Sequence, residues 1–193
     1  MSFAADYFAN LGKALAEMPQ EQIDTLFRWM KEAYDQEKLI FVMGNGGSAT
    51  TASHFVCDMN KGVSMNLKKK FRLMALNDNQ PTLTAYANDV SYDAVFSRPL
   101  ENFLGPGDLV IGFSTSGNSK NVIKAFDFAC RRGNKTFAIL GRPGGGLIKV
   151  AEASLVVPTS DVQQAEDLHH CLCHMIMRRF CAELGVKPAG KTV

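Results

Sequence analysis

Four histidines occupy two places in the chain, and each place also holds a carboxylate at helical spacing. His54 and Asp58 are four residues apart, so on a helix they share a face. Glu166, His170 and His174 repeat that spacing and form a polar stripe on an otherwise apolar segment. Imidazole and carboxylate groups at i,i+4 suit Zn²⁺ or a similar borderline metal. The same set suits proton transfer between adjacent carbons, with a carboxylate as base and a histidine as acid. Cys171 and Cys173 are soft ligands too, but on a helix they point about 200° apart, so both cannot face one ion with His174.

Two other stretches are built to hold an anion. "MGNGGSATT" (43–51) and "STSGNS" (114–119) each follow an apolar run and precede a helical pattern. Glycines such as Gly46 and Gly47 let the backbone approach a ligand. Helix-end amides and the hydroxyls of Ser48, Ser114, Thr115, Ser116 and Ser119 can then donate to phosphate oxygens without a lysine. Gly44, Gly46 and Ala49 also fit a Gly-x-Gly-x-x-Ala dinucleotide pattern, a weak signal alone. Asp78, the nearest acid after the second strand, lies in a polar turn, and a nucleotide would leave the second loop unexplained. Neither loop carries the Gly-Lys-Ser/Thr of a phosphate-binding loop, and the Gly-Lys-Thr at 190–192 follows a helical pattern rather than an apolar strand run, so no nucleotide cofactor is expected.

These residues need a frame. "LIFVM" (39–43), "RLMAL" (72–76), "DLVIGF" (108–113), "KTFAIL" (135–140) and "ASLVVP" (153–158) are continuous apolar runs separated by helix-length segments. That pattern predicts a parallel sheet covered on both faces. Helices are expected over 47–60, 80–88, 118–132, 146–151 and 161–184, the last capped by Asp161. Two more, over 3–17 and 20–36, precede the sheet. The expected organisation is a single domain over 1–193, with a helical extension (1–37), an α/β core (38–185) and a loose tail (186–193). The first helix has an apolar stripe of Phe3, Tyr7, Phe8, Leu11 and Leu15, more than one packing side requires, so it is expected to lie between subunits.

The hydrophobic fraction of 46% and charged fraction of 21% are ordinary for a globular chain. A net charge of +2 makes no case for nucleic acid or an anionic membrane. No apolar run approaches the roughly 18 residues of a membrane span, and "MSFAADYFAN" lacks the features of a targeting segment. Five cysteines, an odd number on helix-like segments, read as reduced thiols in the cytoplasm.

Together, "GNGGS", "HF" with an acid three residues beyond, "AND", "FSR", "GDLVIGFSTSGNSKNVIKA" and the histidine-bearing last helix resemble the SIS (sugar isomerase) domain, within it the phosphoheptose isomerases. The resemblance implies a three-layer α/β/α sandwich with a five-stranded, flavodoxin-like parallel sheet. It also implies aldose–ketose isomerisation of sedoheptulose 7-phosphate to D-glycero-D-manno-heptose 7-phosphate, a bound zinc, and a homotetramer with active sites at its interfaces. Ser48, Ser114, Thr115, Ser116 and Ser119 match the phosphate binders and Asn45 a substrate contact. His54, Asp58, Glu166 and His174 match the metal-and-catalysis positions, which in the family usually read His, Glu, Gln and His. Asp58 therefore shortens the expected base and Glu166 is a rival for that role, with His174 as acid. The usual arginine after the first acid is missing from "MNKG", and His170 replaces a residue that is often apolar and could compete as a ligand. A non-catalytic SIS protein that binds a sugar phosphate or a replication initiator is the alternative. The initiator-binding branch lacks the last histidine, so His174 argues against it.

Overall fold

Five short apolar runs become the strands of one parallel sheet in a computed structural model that describes residues 2–187. They are β1 (Ile40–Met43), β2 (Leu73–Ala75), β3 (Leu109–Ser114), β4 (Lys135–Leu140) and β5 (Ala153–Val156), in the order β2-β1-β3-β4-β5. Each lies within one or two residues of its expected place. Val42 pairs with Ala75 on one side and Ile111 on the other, and Ile111 pairs in turn with Phe137. The chain leaves β1 toward β2 and returns on the other side to β3. The carboxyl ends of β1 and β3 therefore flank a switch point, where open α/β sheets bind their ligands.

Strand residues alternate between two cores, as a sheet covered on both faces requires. Val42, Ile111, Phe113 and Ile139 face a layer made by α1 (Phe3–Ala16), α2 (Gln20–Asp35), α3 (Gly47–Cys57) and α7 (Val162–Glu183). Phe41, Val110, Ala138 and Leu140 face α5 (Ser97–Phe103) and α6 (Lys120–Arg131), while α4 (Gln80–Asp89) adds Leu83 and Tyr86 at the margin. In the first layer Phe27 of α2 stacks on Phe180 of α7 at 4.3 Å, fixing the C-terminal half of α7. Asp161 caps α7 as expected, its carboxylate accepting from the Gln164 amide at 2.9 Å.

The helices differ from expectation in three places. The segment 146–151 contains only a 3₁₀ turn, Leu147–Lys149, because Gly144, Gly145 and Gly146 ahead of it leave no turn to nucleate a helix. The unexpected α5 tolerates Pro99 within its first turn, where a missing N–H costs little. The helix expected over 47–60 is α-helical to Cys57 and then widens into a π-helical turn, Asp58–Val63. Of the tail expected over 186–193, Val186 donates its amide to the Cys181 carbonyl at 2.9 Å, and residues 188–193 lie outside the described ones. No described helix is long and apolar enough to cross a membrane.

His169 points from α7 into the first core, with its ring 5.8 Å from that of Phe113 and none of its surface exposed. Burial pushes its pKa down to about 4, and a favourable Leu140 carbonyl offsets this only in part. Neither ring nitrogen completes a hydrogen bond of ordinary geometry. The unfolded chain binds this proton below about 6.5 and the folded one does not, so stability falls as pH drops from 6.5 toward 4, by at most about 3 kcal/mol. His169→Phe should flatten that acid slope whatever its effect at pH 7. Urea midpoints at pH 7 and pH 5 measure it, and an unchanged slope would show that His169 is not its source.

Candidate active site

α3 and α7 lie side by side and run in the same direction, so their polar stripes meet rung by rung. Gly47 faces Glu166, Thr51 faces His170, and His54 faces His174. A Cβ at Gly47 would collide with the Glu166 carboxylate, so only glycine admits that acid here. Along the outer side of this seam runs a cleft of about 570 Å³, lined by Gly47, Thr50, Glu166, His170 and His174 and walled by Phe8 and Leu11 of α1. Tyr7 of α1 donates to Asp167 at 2.6 Å, which holds α1 beside the cleft. That hydrogen bond is the main reason the Tyr7 phenol is pushed up to about 12.

Where the seam passes into the π-helical turn, three ligand atoms converge. His54 Nε2 lies 2.8 Å from His174 Nε2 and 3.3 Å from Asp58 Oδ2, and His174 Nε2 lies 3.8 Å from the same oxygen. A tetrahedral ion with bonds near 2 Å has ligand-to-ligand edges of roughly 3.3 Å, which these spacings bracket. Asp58 Oδ2 is buried and no hydrogen bond reaches it. Such an orphaned carboxylate oxygen between two imidazoles is a costly arrangement that a dication would satisfy, so the donor set fits one. π-turns recur at functional positions, and this one begins at Asp58.

Glu166, expected in the same ligand set, does not join this group of three. Its carboxylate lies about two helical turns back along α7, against Gly47. His170 is also outside the group: Thr51 engages its Nδ1 at 3.1 Å. Burial, followed by the neighbouring His54 and His174, lowers the His170 pKa.

The two glycine- and hydroxyl-rich loops open at the carboxyl ends of β1 and β3. Four helices follow strands in this sheet. Asn79 and Asp161 cap α4 and α7 with their side chains, but Gly46 and Ser119 leave α3 and α6 without a side-chain cap. Free helix-end amides therefore occur at the two loops singled out for an anion, although in the first turn of α6 the Val122 amide donates to Asn121 Oδ1 at 3.0 Å. Ser48 is the second residue of α3 and is buried. Ser114 Oγ accepts from the Gly117 amide at 3.1 Å and sits 3.3 Å from Ser119 Oγ. Ser116 Oγ accepts from the Asn118 amide and is exposed, with Thr115 half-buried beside it. Gly117 turns the chain at φ +63°, and a side chain there would strike the Gly144 carbonyl.

Asn45, the expected substrate contact, is largely occupied. Its amide forms a reciprocal pair with Asn121, 2.9 Å in each direction, and its oxygen also accepts from Tyr92 Oη at 2.9 Å. One Nδ2 hydrogen remains for a ligand. Sequence reasoning missed Thr51, Tyr92 and Asn121 because each acts through a partner far along the chain. Only the "SKNV" context of Asn121, directly after the second loop, hinted at a role.

The SIS domain family matches this chain over residues 5–141. Sheet order, loops and match define it as a SIS domain. Among curated relatives, the phosphoheptose isomerase of Citrifermentans bemidjiense is 38% identical over 165 residues, covering 86% of this chain and 85% of that protein. The one from Helicobacter pylori strain P12 is 36% identical over 172 residues, covering 87% and 89%. The solved phosphoheptose isomerase of Neisseria gonorrhoeae superposes with a TM-score of 0.85 at 30% identity, covering 93% of this chain and 97% of that one. The chain belongs to the phosphoheptose isomerase family within the SIS domains.

The hydroxyl loop yields a direct test. Ser116→Ala should weaken binding of inorganic phosphate by about 2- to 10-fold, the size of one neutral hydrogen bond at about 0.5–1.5 kcal/mol. Isothermal titration measures it, and unchanged affinity would remove Ser116 from the donors.

Proposed function

We propose that this chain isomerises sedoheptulose 7-phosphate to D-glycero-D-manno-heptose 7-phosphate through an enediol. One observation carries the reading: Asp58 Oδ2 and the Nε2 atoms of His54 and His174 converge on the α3–α7 seam, with Glu166 beside the uncapped start of α3. The relatives named phosphoheptose isomerase support the substrate.

Ser48, Ser114, Thr115, Ser116, Ser119 and the amides of Gly46 and Gly47 hold the phosphate in this reading, and Asn45 contacts the sugar. His54, Asp58 and His174 hold a divalent ion. Two imidazoles and a carboxylate suit zinc, which when bound would polarise the substrate carbonyl. Asp58 Oδ2, boxed between the imidazoles, is then a poor base, because a cation stabilises its ionised form. Glu166 stands clear of the trio and lines the cleft; reaching forward from Gly47, it removes the C1 proton and leaves an enediolate, and the C1 hydroxyl passes its proton to the C2 oxygen. Glu166 then returns its proton to C2, leaving the C1 aldehyde. His174, with its Nε2 given to the ion, is a ligand in this reading rather than the expected acid. Placing the base on Glu166 departs from the expectation that Asp58 serves, and gives the two carboxylates one job each.

The same reading takes residues 1–193 as one SIS domain whose 1–37 helices assemble a homotetramer. Phe3 and Phe8 on α1 are 86% and 68% exposed, an apolar surface suited to a second copy of the chain. Five unpaired cysteines agree with a cytoplasmic setting.

Incubating the protein with sedoheptulose 7-phosphate in D₂O and following exchange at C1 and C2 by NMR tests the activity. No exchange despite tight phosphate binding would leave a non-catalytic binding protein. Glu166→Gln should cut turnover about 100-fold or more, as loss of a general base does, while keeping its zinc. Asp58→Asn should lose the zinc. Full turnover in Glu166→Gln would return the base to Asp58. Sedimentation at micromolar concentration should show a tetramer, and a stable monomer would remove the interface reading.

A further inference from the structure

We infer that His170 is a positioning residue that aligns the His54 ring for the His54–Asp58–His174 group; this rests on that group being a divalent-metal centre. Thr51 is buried, and its Oγ1 donates to the Gly47 carbonyl at 3.2 Å. The 3.1 Å contact with His170 Nδ1 links the same hydroxyl to that ring, whichever of the two atoms carries the proton. His170 is therefore tied to a buried side chain on the neighbouring helix. Its ring plane is fixed, and it lies nearly flat on the His54 ring, with centroids 5.2 Å apart and planes 16° apart. The His54 ring, half-exposed on its own helix, thus has a wall on one face. On its Nε2 edge it meets Asp58 Oδ2 and His174 Nε2. An apolar aliphatic residue at 170 would fill space but give no planar surface to set that ring's rotation. Partners that orient ligating histidines typically matter about 10- to 100-fold in metal affinity.

Zinc affinity of the purified protein, measured by competition with a chromogenic chelator, tests this without using turnover. His170→Ala should bind zinc about tenfold or more weakly, whereas His170→Phe, which keeps a flat ring against His54, should stay within about threefold of the parent. Parent-like affinity in His170→Ala would overturn the inference. A loss in His170→Phe as large as in His170→Ala would also overturn it, because His170 would then act through its nitrogen, as a ligand. If the parent chain itself takes up no zinc, the metal centre and the inference fall together. Zinc uptake without isomerisation of sedoheptulose 7-phosphate would remove the proposed activity and leave the inference standing.

Discussion

Two parallel helices bring polar side chains into register only if their backbones approach closely, and α3 is composed for that approach. Its first seven residues, Gly47-Ser48-Ala49-Thr50-Thr51-Ala52-Ser53, contain nothing larger than threonine. Every rung of the site follows from this. Glu166 fits because residue 47 lacks a side chain, His170 finds a hydroxyl because residue 51 is threonine, and the first long polar side chain on α3, His54, appears where His174 can meet it. A bulky residue in that stretch would part the helices and dissolve all three meetings together.

The uncapped starts of α3 and α6 show a second constraint. Leaving helix-end amides without a partner forgoes about 1 kcal/mol of capping at each end. Asn79 and Asp161 show that the chain caps helices elsewhere in the same sheet. At the switch point it forgoes that stabilisation at α3, and at α6 only Asn121 takes a first-turn amide, that of Val122. The Asn45–Asn121 pair meanwhile ties the two loops to one another, so the donors stay aligned without an occupant. The reciprocal amide bond spans 76 residues of sequence and joins the two halves of the anion site.

Much of this was legible in the sequence because periodicity carries it. Continuous apolar runs such as "DLVIGF" have one good solution, a buried parallel strand, and the i,i+4 histidine and carboxylate stripes declare their helix faces. Cys171 and Cys173 fall on opposite sides of α7, one exposed and one buried, as helical geometry requires. What stayed hidden depends on distance rather than pattern. The spacing of Glu166 to His174 is eight residues, about 12 Å of helix, so a shared face does not make a shared ligand set; only the pairing with α3 reveals that Glu166 and His174 belong to different rungs. The anchoring of His170 was equally hidden, since it depends on a hydroxyl 119 residues away. α5 was missed because a proline in a short segment reads as a break unless its place in the first turn is known.

In the proposed reading α3 also acts as a gauge. Its beginning holds the phosphate and its end carries His54, a ligand of the ion that would polarise the carbonyl. From Ser48 to His54 the helix rises about 9 Å, and an α-helix does not stretch. The distance between the two ends of an acceptable substrate is thereby set by backbone hydrogen bonds instead of by a pocket wall. Side-chain changes in the cleft can alter which hydroxyls are recognised, but the length of sugar chain that satisfies both ends is written into the number of residues in one helix. Shortening or lengthening the preferred substrate would require adding or removing residues within α3, which would rotate its remaining faces by about 100° for each residue and destroy the seam with α7.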